Sequence, residues 1–445
     1  MKKCICILFV YFFANSFLLA QNQFVVQGKK GVDKIHFQLI NNLIVIPVSI
    51  NGVELSFILD TGVSKPIIFN FLNSLDSLQI KNSETIFLRG LGEDKPVKAL
   101  KSTNNIFKIG NAINVNQDLY AIYNAKLNFA PRLGIPIHGI IGYDFFKDLI
   151  VEVHYGRQFI KVINPTDFNN NKCKKCDVLP LEFFNNKPYL NINVKLNGRD
   201  VPVKLLIDSG GSDSLWLFED EMLNIQVTNN YFHDFLGHGL SGTIYGKRSK
   251  VESVSVGRFV FNNANVAFPD AKSINHVKHF KGRNGSLAGN ILKRFNLIFD
   301  YHNKRVLFKK SRYYKDDFSY NKSGIELMHD GLRLVTQEHR SIRQARVITT
   351  NVDDSTPVIN NQVDYKLVLK PAYSISELRE KSPAYNAGLK VGDIILVINN
   401  KKVEEFTLQE IMQKFYGKAG ELIKIKIDRN GTELKYQFYL ESLLN

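Results

Sequence analysis

The 445-residue chain has few cysteines and no dense block of basic residues. Two of its four cysteines, Cys4 and Cys6, lie in the apolar N-terminal stretch. The other two, Cys173 and Cys176, have no second pair to complete a four-sulfur zinc site, so a local disulfide is the simpler interpretation outside the cytoplasm. Lys and Arg number 58 against 42 Asp and Glu, but they are scattered, which favours a solvated surface and no nucleic-acid partner.

Motifs of two common enzyme classes are also absent from the sequence. No His-Glu-x-x-His motif and no set of neighbouring acids accompanies the histidines at His233, His238, His276 and His279. We therefore predict no metal site and no cofactor. No Gly-x-Ser-x-Gly motif occurs either, which argues against a serine hydrolase.

Long hydrophobic runs are missing after the N-terminus, so we predict no retained membrane span. Residues 1–20 have a basic start, an apolar run and a small residue before Gln21, which is the pattern of a secretory signal peptide. A retained membrane anchor is the alternative, although the unbroken apolar run is short for one. The sequence thus predicts an exported protein, periplasmic or secreted.

Two motifs organise the rest of the chain. Phe57-Ile-Leu-Asp-Thr-Gly62 and Leu205-Leu-Ile-Asp-Ser-Gly210 are each an apolar strand that ends in Asp-Thr/Ser-Gly. Glycines that follow the first motif recur after the second at a constant offset, since 237−90, 239−92, 257−110 and 289−142 all equal 147. The two acids keep nearly the same offset, since 208−60 equals 148. This pattern indicates an internal duplication.

A duplicated half-site of this kind suits acid–base chemistry. Two carboxylates held together cannot both ionise easily, so they share a proton. One can then deprotonate a water while the other protonates a carbonyl oxygen. The glycines let the two loops approach, and the hydroxyls can bond across to the opposite loop. The catalytic candidates are Asp60 and Asp208, and the supporting loop candidates are Thr61, Gly62, Ser209 and Gly210.

These motifs resemble those of aspartic proteases with two lobes in one chain, pepsin-like in connectivity and with lobes as short as a retroviral protease subunit. Besides the acid motifs, the resemblance rests on Ile140-Ile141-Gly142 and Leu287-Ala288-Gly289, and it covers about residues 35–310. It implies that Gly142 and Gly289 pass beside the catalytic loops in a ψ-shaped crossing. It also implies that hairpins with Gly90, Gly92, Gly237 and Gly239 are flaps that close over a bound peptide.

One pair of positions departs from the pepsin-like pattern. Pepsin-like enzymes usually carry Ser or Thr directly after the Gly, whereas this chain has Val63 and Gly211, with Ser64 and Ser212 one residue later. Retroviral enzymes have an apolar residue there, so this departure is compatible with activity.

The C-terminal region resembles a PDZ domain over about residues 365–442. The resemblance rests on Ser382-Pro-Ala-Tyr-Asn-Ala-Gly388 followed by Gly392-Asp393 and an apolar strand. A helix is predicted over Thr407–Phe415, with Thr407 as its N-cap. Such a fold binds an extended peptide as an added strand beside this helix. Residues 324–364 match neither module, and we expect extra strands that either complete the protease or lead into the PDZ domain.

The predicted fold is mainly β, with two pseudo-twofold-related acid-protease β-barrel lobes followed by a small α+β PDZ domain. The predicted domains are a signal peptide (1–20), lobe 1 (21–163), an interlobe linker (164–177), lobe 2 (178–311), a linker with unassigned strands (312–364) and the PDZ domain (365–445). The predicted function is an exported aspartic endopeptidase that cleaves peptide or protein substrates, with a possible peptide ligand at the PDZ domain. The alternative is a catalytically inactive protein that uses the cleft and the PDZ groove for docking. The sequence does not indicate an oligomeric state.

Overall fold

The computed structural model describes residues 22–69, 78, 84–92, 95–123, 128–169, 173, 175–275, 282–340 and 363–444. The predicted signal peptide, with Cys4 and Cys6, lies outside the described residues, as do His276 and His279. Within the described residues, long strands alternate with short helices, which confirms the mainly β architecture predicted from the sequence.

Lobe 1 is built on a sheet in which the described residues form nine strands. Those strands are β1 (Val25–Val26), β3 (Gln38–Ile40), β4 (Leu43–Ile50), β5 (Val53–Leu59), β6 (Ile67–Ile68), β7 (Glu84–Leu88), β8 (Val97–Ile109), β9 (Ala112–Ala121) and β10 (Gly139–Ile141). Their order is β1-β9-β6-β10-β5-β4-β8-β7, with β3 beside β4. The sequence Asn51-Gly52 predicts a hairpin turn, and the structure has this turn between β4 and β5. Asn51 and Gly52 have φ values of 50° and 89°, the left-handed conformation that favours Asn-Gly in such turns.

Lobe 2 repeats this arrangement. Its sheet contains β14 (Glu182–Phe184), β15 (Lys187–Leu196), β16 (Arg199–Asp208), β17 (Leu215–Leu217), β18 (Phe232–Gly239), β19 (Gly242–Val256), β20 (Phe259–Pro269) and β21 (Gly285–Ala288). The strand order in the described residues is β14-β15-β16-β21-β17-β20-β19-β18. In each lobe a hairpin ends at the acid motif, and a later strand pairs in parallel with that hairpin's second strand. These parallel pairs are β5 with β10 and β16 with β21.

A third sheet joins the two lobes. It contains β2 (Val32–His36), β11 (Ile150–His154), β12 (Phe159–Ile163), β13 (Asp177–Pro180), β22 (Phe295–Asp300) and β23 (Arg305–Lys310), in the order β13-β23-β22-β11-β12-β2. Strand β11 of lobe 1 pairs antiparallel with β22 of lobe 2. Because these two strands occupy corresponding places in the duplicated sequence, the pseudo-twofold axis runs between them.

Helices are short throughout the described residues. They are α1 (Ala130–Leu133), α2 (Tyr143–Phe146), α3 (Ala271–Ile274), α4 (Gly289–Leu292), α5 (Pro383–Asn386) and α6 (Leu408–Lys414), with 3-10 turns at Tyr155–Arg157, Pro165–Asp167 and Val403–Glu405. The sequence after the two later glycine landmarks predicts helical turns near residues 144–147 and 291–294. Both turns are present, but they begin one and two residues earlier. Thr407 caps α6 as predicted, in a reciprocal capping box with Glu410.

The C-terminal module has a sheet of its own. Its strands are β24 (Ile325–Arg340), β25 (Val363–Leu378), β26 (Ile394–Ile398), β27 (Lys401–Lys402), β28 (Leu422–Arg429) and β29 (Thr432–Tyr439). The order is β24-β25-β26-β28-β29, with β27 beside β26. The sequence does not indicate whether the strands expected before residue 365 belong to the protease or to the PDZ domain. β24 belongs to this sheet, because it pairs along its length with β25, and the predicted boundary between residues 364 and 365 falls inside β25.

Two main apolar cores support these sheets. The larger core runs continuously through both lobes and includes Phe57, Phe146, Ile207 and Phe299, all buried. The C-terminal module has a separate core, in which the inner face of α6 packs on the sheet. The continuous core fixes the two lobes relative to each other, and with them the two acid-containing loops.

Candidate active site

The loop after β5 and the loop after β16 brace each other through four hydrogen bonds. The Thr61 hydroxyl donates to the Ile207 carbonyl at 2.6 Å and accepts from the Ser209 N–H at 3.0 Å. The Ser209 hydroxyl makes the reciprocal pair, donating to the Leu59 carbonyl at 2.7 Å and accepting from the Thr61 N–H at 3.0 Å. Both side chains are buried. The structure therefore brings the two predicted loops together and locks their register.

The two carboxyl groups lie side by side against the loop glycines. The Gly62 N–H donates to Asp60 Oδ1 at 2.6 Å. A methyl group on Gly62 would lie 3.1 Å from Asp60 Oδ1 and 3.4 Å from Asp208 Oδ1, and one on Gly210 would overlap the Asp60 carboxyl group. A side chain at Gly210 would therefore displace the Asp60 carboxyl group, and one at Gly62 would crowd both carboxyl groups.

The second glycine landmark passes beside each loop. In lobe 1 the Asp60 N–H donates to the Ile141 carbonyl at 2.8 Å, and a methyl group on Gly142 would overlap the Asp60 carbonyl oxygen. In lobe 2 the Gly289 N–H donates to the Gly211 carbonyl at 2.8 Å. Each glycine landmark therefore lies against the acid loop of its own lobe.

Burial raises the pKa of both acids. Burial, followed by the charge of Asp208, raises the pKa of Asp60 from 3.8 to about 7. Burial also raises the pKa of Asp208, while Arg283, Lys187 and a hydrogen bond from the Ser286 hydroxyl act in the opposite direction. Two buried, interacting carboxyl groups of this kind hold a proton between them over a range of pH.

Sequence reasoning missed the residues that surround this pair. Lys187 and Arg283 place positive charge beside the acids, and burial lowers the pKa of each. Tyr189 and Tyr301 also lie close, and burial raises the pKa of both hydroxyls. None of these residues stands in a motif. The one available signal was the hydroxyl of Ser286, which opens the glycine landmark Ser286-Leu-Ala-Gly289.

The residues after the motif glycines do not contribute hydroxyls to the acids. Val63 and Gly211 have none, and Ser64, one residue later, donates to the Asn185 carbonyl at 2.8 Å. In lobe 2 the Ser286 hydroxyl on β21 lowers the pKa of Asp208. On the Asp208 side of the site, Ser286 therefore supplies a hydroxyl in place of the Ser or Thr that pepsin-like enzymes carry after the motif glycine.

The tips of two hairpins, β7–β8 in lobe 1 and β18–β19 in lobe 2, touch each other. The Gly90 N–H donates to the Ser241 hydroxyl at 3.1 Å, and the Ser241 N–H donates to the Leu91 carbonyl at 3.0 Å. Methyl groups on Gly92 or Gly239 would overlap the backbone of the opposite tip. Gly237 lies at a bulge in β18, with φ of 147°. The four glycines predicted to form flaps therefore lie at or beside this junction.

The C-terminal module contacts both hairpin-bearing lobes through β25. The Arg132 guanidinium of α1 lies 3.2 Å from Glu377 Oε1, and the Tyr245 hydroxyl of β19 donates to Glu377 Oε2 at 3.1 Å. Arg132 also donates to the Ser376 hydroxyl at 3.3 Å. In addition, α1 packs against β24, the edge strand of the module.

The remaining candidates lie away from the acid pair. Cys173 and Cys176 are joined as a disulfide, with their Cα atoms 5.7 Å apart. His238 Nδ1 lies 3.3 Å from the Thr243 hydroxyl in the second hairpin. In the part of the chain that the structure describes, no three potential metal ligands come together. No helix there is long and apolar enough to cross a membrane.

Comparison with known proteins agrees with this geometry. Residues 46–145 and 192–290 match a family model described as Aspartyl protease, and residues 374–429 match one described as PDZ domain. The chain contains two aspartyl protease lobes followed by a PDZ domain. The first aspartyl protease match includes Asp60 and Gly142, and the second includes Asp208 and Gly289.

The chain was also compared with curated proteins and with solved structures. No curated protein matches the chain. Among solved structures, the aspartic proteinase from Irpex lacteus is 10% identical, with a TM-score of 0.42, over 64% of this chain and 99% of that protein. The case for the two aspartyl protease lobes therefore rests on the family models and on the braced acid loops.

Proposed function

We propose that this protein is an exported aspartic endopeptidase that hydrolyses peptide bonds with Asp60, Asp208 and a shared water. The observation that carries the proposal is the pair of buried carboxyl groups, held side by side by the reciprocal hydrogen bonds of Thr61 and Ser209. Export is inferred from the N-terminal sequence pattern of residues 1–20.

The reaction follows from one proton shared by two acids. The ionised carboxylate removes a proton from water as its oxygen attacks the carbonyl carbon of the peptide. The protonated carboxyl group donates its proton to the carbonyl oxygen, which gives a tetrahedral diol. The diol then returns one proton to a carboxylate while the other carboxyl group protonates the amide nitrogen, and the C–N bond breaks. Burial of the pair strengthens each of these interactions.

The proposal includes a role for the two hairpin tips in substrate binding. Because the tips are joined by hydrogen bonds between Gly90, Leu91 and Ser241, we propose that they act as flaps that separate for entry and close over the bound peptide. Closure would exclude water from the carboxyl pair during the reaction.

The PDZ domain is proposed to bind an extended peptide at the edge strand β24 beside α6, since α6 packs against that strand. The same edge is contacted by α1 of lobe 1, and a methyl group on Gly134 would lie 2.9 Å from the Leu408 Cβ at the start of α6. A peptide that adds at this edge therefore competes with lobe 1 for part of the groove.

The test is digestion of a mixed peptide pool by the chain without residues 1–20, across pH, with and without a transition-state mimic of peptide hydrolysis. We expect cleavage that the mimic blocks and that Asp60→Asn and Asp208→Asn each abolish, while both variants keep the wild-type thermal melt. A folded protein that binds peptides without cleaving them would instead support a purely docking role.

A further inference from the structure

The two acids sit in similar loops but in unlike surroundings. Arg283 is buried beside the Asp208 loop, where its Nη2 donates to the Ser286 hydroxyl at 2.9 Å and its Nε donates to the Gly285 carbonyl at 3.2 Å. Ser286 lies on β21, which pairs in parallel with β16 as far as Asp208, and both the Ser286 hydroxyl and the Arg283 charge lower the pKa of Asp208. A buried cation and the hydroxyl that it holds therefore both act on Asp208.

Among the described residues of lobe 1, the positions that correspond to Arg283 and Ser286 carry neither a cation nor a hydroxyl. At the constant offset of 147 residues, Gly139 of lobe 1 corresponds to Ser286 of lobe 2, and Pro136 corresponds to Arg283, since 286−147 is 139 and 283−147 is 136. A methyl group on Gly139 would overlap the Phe57 ring, so an aromatic side chain fills this space. His138 is the one titratable residue on this segment. Its Nδ1 accepts from the Ser56 N–H at 3.1 Å, and burial lowers its pKa, which favours the neutral ring.

The other ionisable groups near the pair do not cancel this asymmetry. Asp60 faces Asp208, Lys187 of β15 and Tyr301 after β22. Asp208 faces Asp60, Lys187, Tyr189 of β15 and Arg283. Lys187 acts on both acids, and both tyrosine hydroxyls are kept neutral by burial. Among the charged groups, the difference between the two sides is therefore Arg283, which acts on Asp208 together with Ser286, whereas Asp60 accepts the Gly62 N–H.

We propose that Arg283, acting through Ser286, makes Asp208 the ionised member of the pair and Asp60 the protonated one. Asp208 then removes the proton from water, and Asp60 donates its proton to the carbonyl oxygen of the peptide. Arg283 is a positioning residue, because it acts on the reacting atoms through Ser286. The assignment of these roles rests on the proposed peptidase function, but the location of the proton can be tested without turnover.

The first test is alkylation with phenyl glycidyl ether, followed by mass-spectrometric mapping of the labelled acid. A carboxylate oxygen opens the epoxide to form an ester bond, the epoxide C–O bond breaks, and the resulting alkoxide takes the proton of the neighbouring carboxyl group. We expect the label on Asp208 in the unaltered chain and on both acids in Arg283→Met. Label on Asp60 in the unaltered chain would overturn the proposal.

The second test is the pH profile of kcat/KM for Arg283→Met, Arg283→Lys and Ser286→Ala. Loss of the cation should move the acid limb to higher pH by about one unit or more, because an opposite charge near a carboxylate lowers its pKa by that amount. Arg283→Lys should restore most of the position of the limb, and Ser286→Ala should move it in the same direction as Arg283→Met. A purely structural role would lower activity without moving the limb, and this result in folded variants would refute the proposal.

Failure of this proposal is distinguishable from failure of the proposed function. If the chain cleaves no peptide but is alkylated at Asp208 alone, the proposed peptidase function is wrong, whereas the proposed difference in ionisation between Asp208 and Asp60 is supported. If Arg283→Met does not fold, the labelled position in the unaltered chain and the profile of Ser286→Ala decide the question.

Discussion

Arg132 of lobe 1 and Glu377 of the PDZ domain form an ion pair at 3.2 Å, with each side chain only about a quarter exposed. The same Glu377 carboxylate accepts from the Tyr245 hydroxyl of lobe 2 at 3.1 Å. One acid of the PDZ domain therefore contacts both lobes, through α1 of lobe 1 and through β19 of the lobe 2 hairpin. We propose that this junction links peptide binding at the adjacent edge strand to movement of the hairpins.

Replacement of Glu377 by Ala should loosen this junction. We expect a loss of about 1 kcal/mol in the free energy of unfolding, since the partly exposed ion pair is screened by solvent and one further hydrogen bond is lost. Peptide cleavage should change in KM more than in kcat, because the acid pair itself is untouched. Chemical denaturation and steady-state kinetics measure both quantities.

Glu433→Ala is the matched control for this substitution. Glu433 also pairs with a cation, Lys426 on the adjacent strand β28, but the pair lies within the PDZ sheet and Glu433 is well exposed. We expect Glu433→Ala to leave the KM for peptide cleavage unchanged. Equal effects of the two substitutions on KM would contradict a specific link between Glu377 and the hairpins.

Removal of the whole PDZ domain should impair the protease lobes. The sequence alone predicts that a chain ending near Ser323 still cleaves short peptides, because all acid and hairpin motifs precede residue 311. In the structure, Asp234 of β18 lies 3.6 Å from Arg379 of the PDZ domain and 2.8 Å from Arg248, and Arg248 lies 2.7 Å from Asp213. These largely buried charges connect the PDZ domain to the loop that follows Asp208.

We therefore expect residues 21–323 to lose most of their activity on a short peptide and to melt at lower temperature than residues 21–445. Full-length Arg379→Met is the companion variant, because it removes the PDZ charge while it keeps the rest of the interface. Unchanged turnover of a short peptide by the truncated chain would show that the lobes work independently, as the sequence suggested.

Much of the site could be predicted because it is encoded locally. The acid motifs, the Asn-Gly turns and the constant glycine offset each depend on neighbouring residues or on simple counting. Arg283 and Lys187 could not be found in this way. They reach the acids only because β21 pairs in parallel with β16 and β15 pairs antiparallel with β16, which brings distant residues together. The place of β24 was equally hidden, since strand pairing leaves little trace in one strand's composition.

Thr61→Val tests the brace between the two acid loops. Valine keeps the shape of the side chain but leaves the Ile207 carbonyl and the Ser209 N–H without the partner that Thr61 supplies. Because both groups are buried, we expect a loss of about 2 kcal/mol or more in the free energy of unfolding, and a large fall in kcat as the acids lose register. Thr61→Ser retains the hydroxyl and should stay close to the unaltered protein. If Thr61→Val were as stable and active as Thr61→Ser, the reciprocal hydrogen bonds would not matter.

The pH dependence of cleavage follows from the shared proton. Asp60, with its pKa raised to about 7 by burial and by the charge of Asp208, keeps its proton below that pH and loses it above. Cleavage requires one proton on the pair, so kcat/KM should fall as the pH rises through about 7. It should fall again at low pH, where Asp208 takes up the second proton, and burial raises the pKa of that acid as well. Measurements of kcat/KM from about pH 3 to about pH 9 should therefore give a bell-shaped profile whose alkaline limb lies near neutral pH. A rate that stays constant from neutral to alkaline pH would mean that the proton on Asp60 is not used.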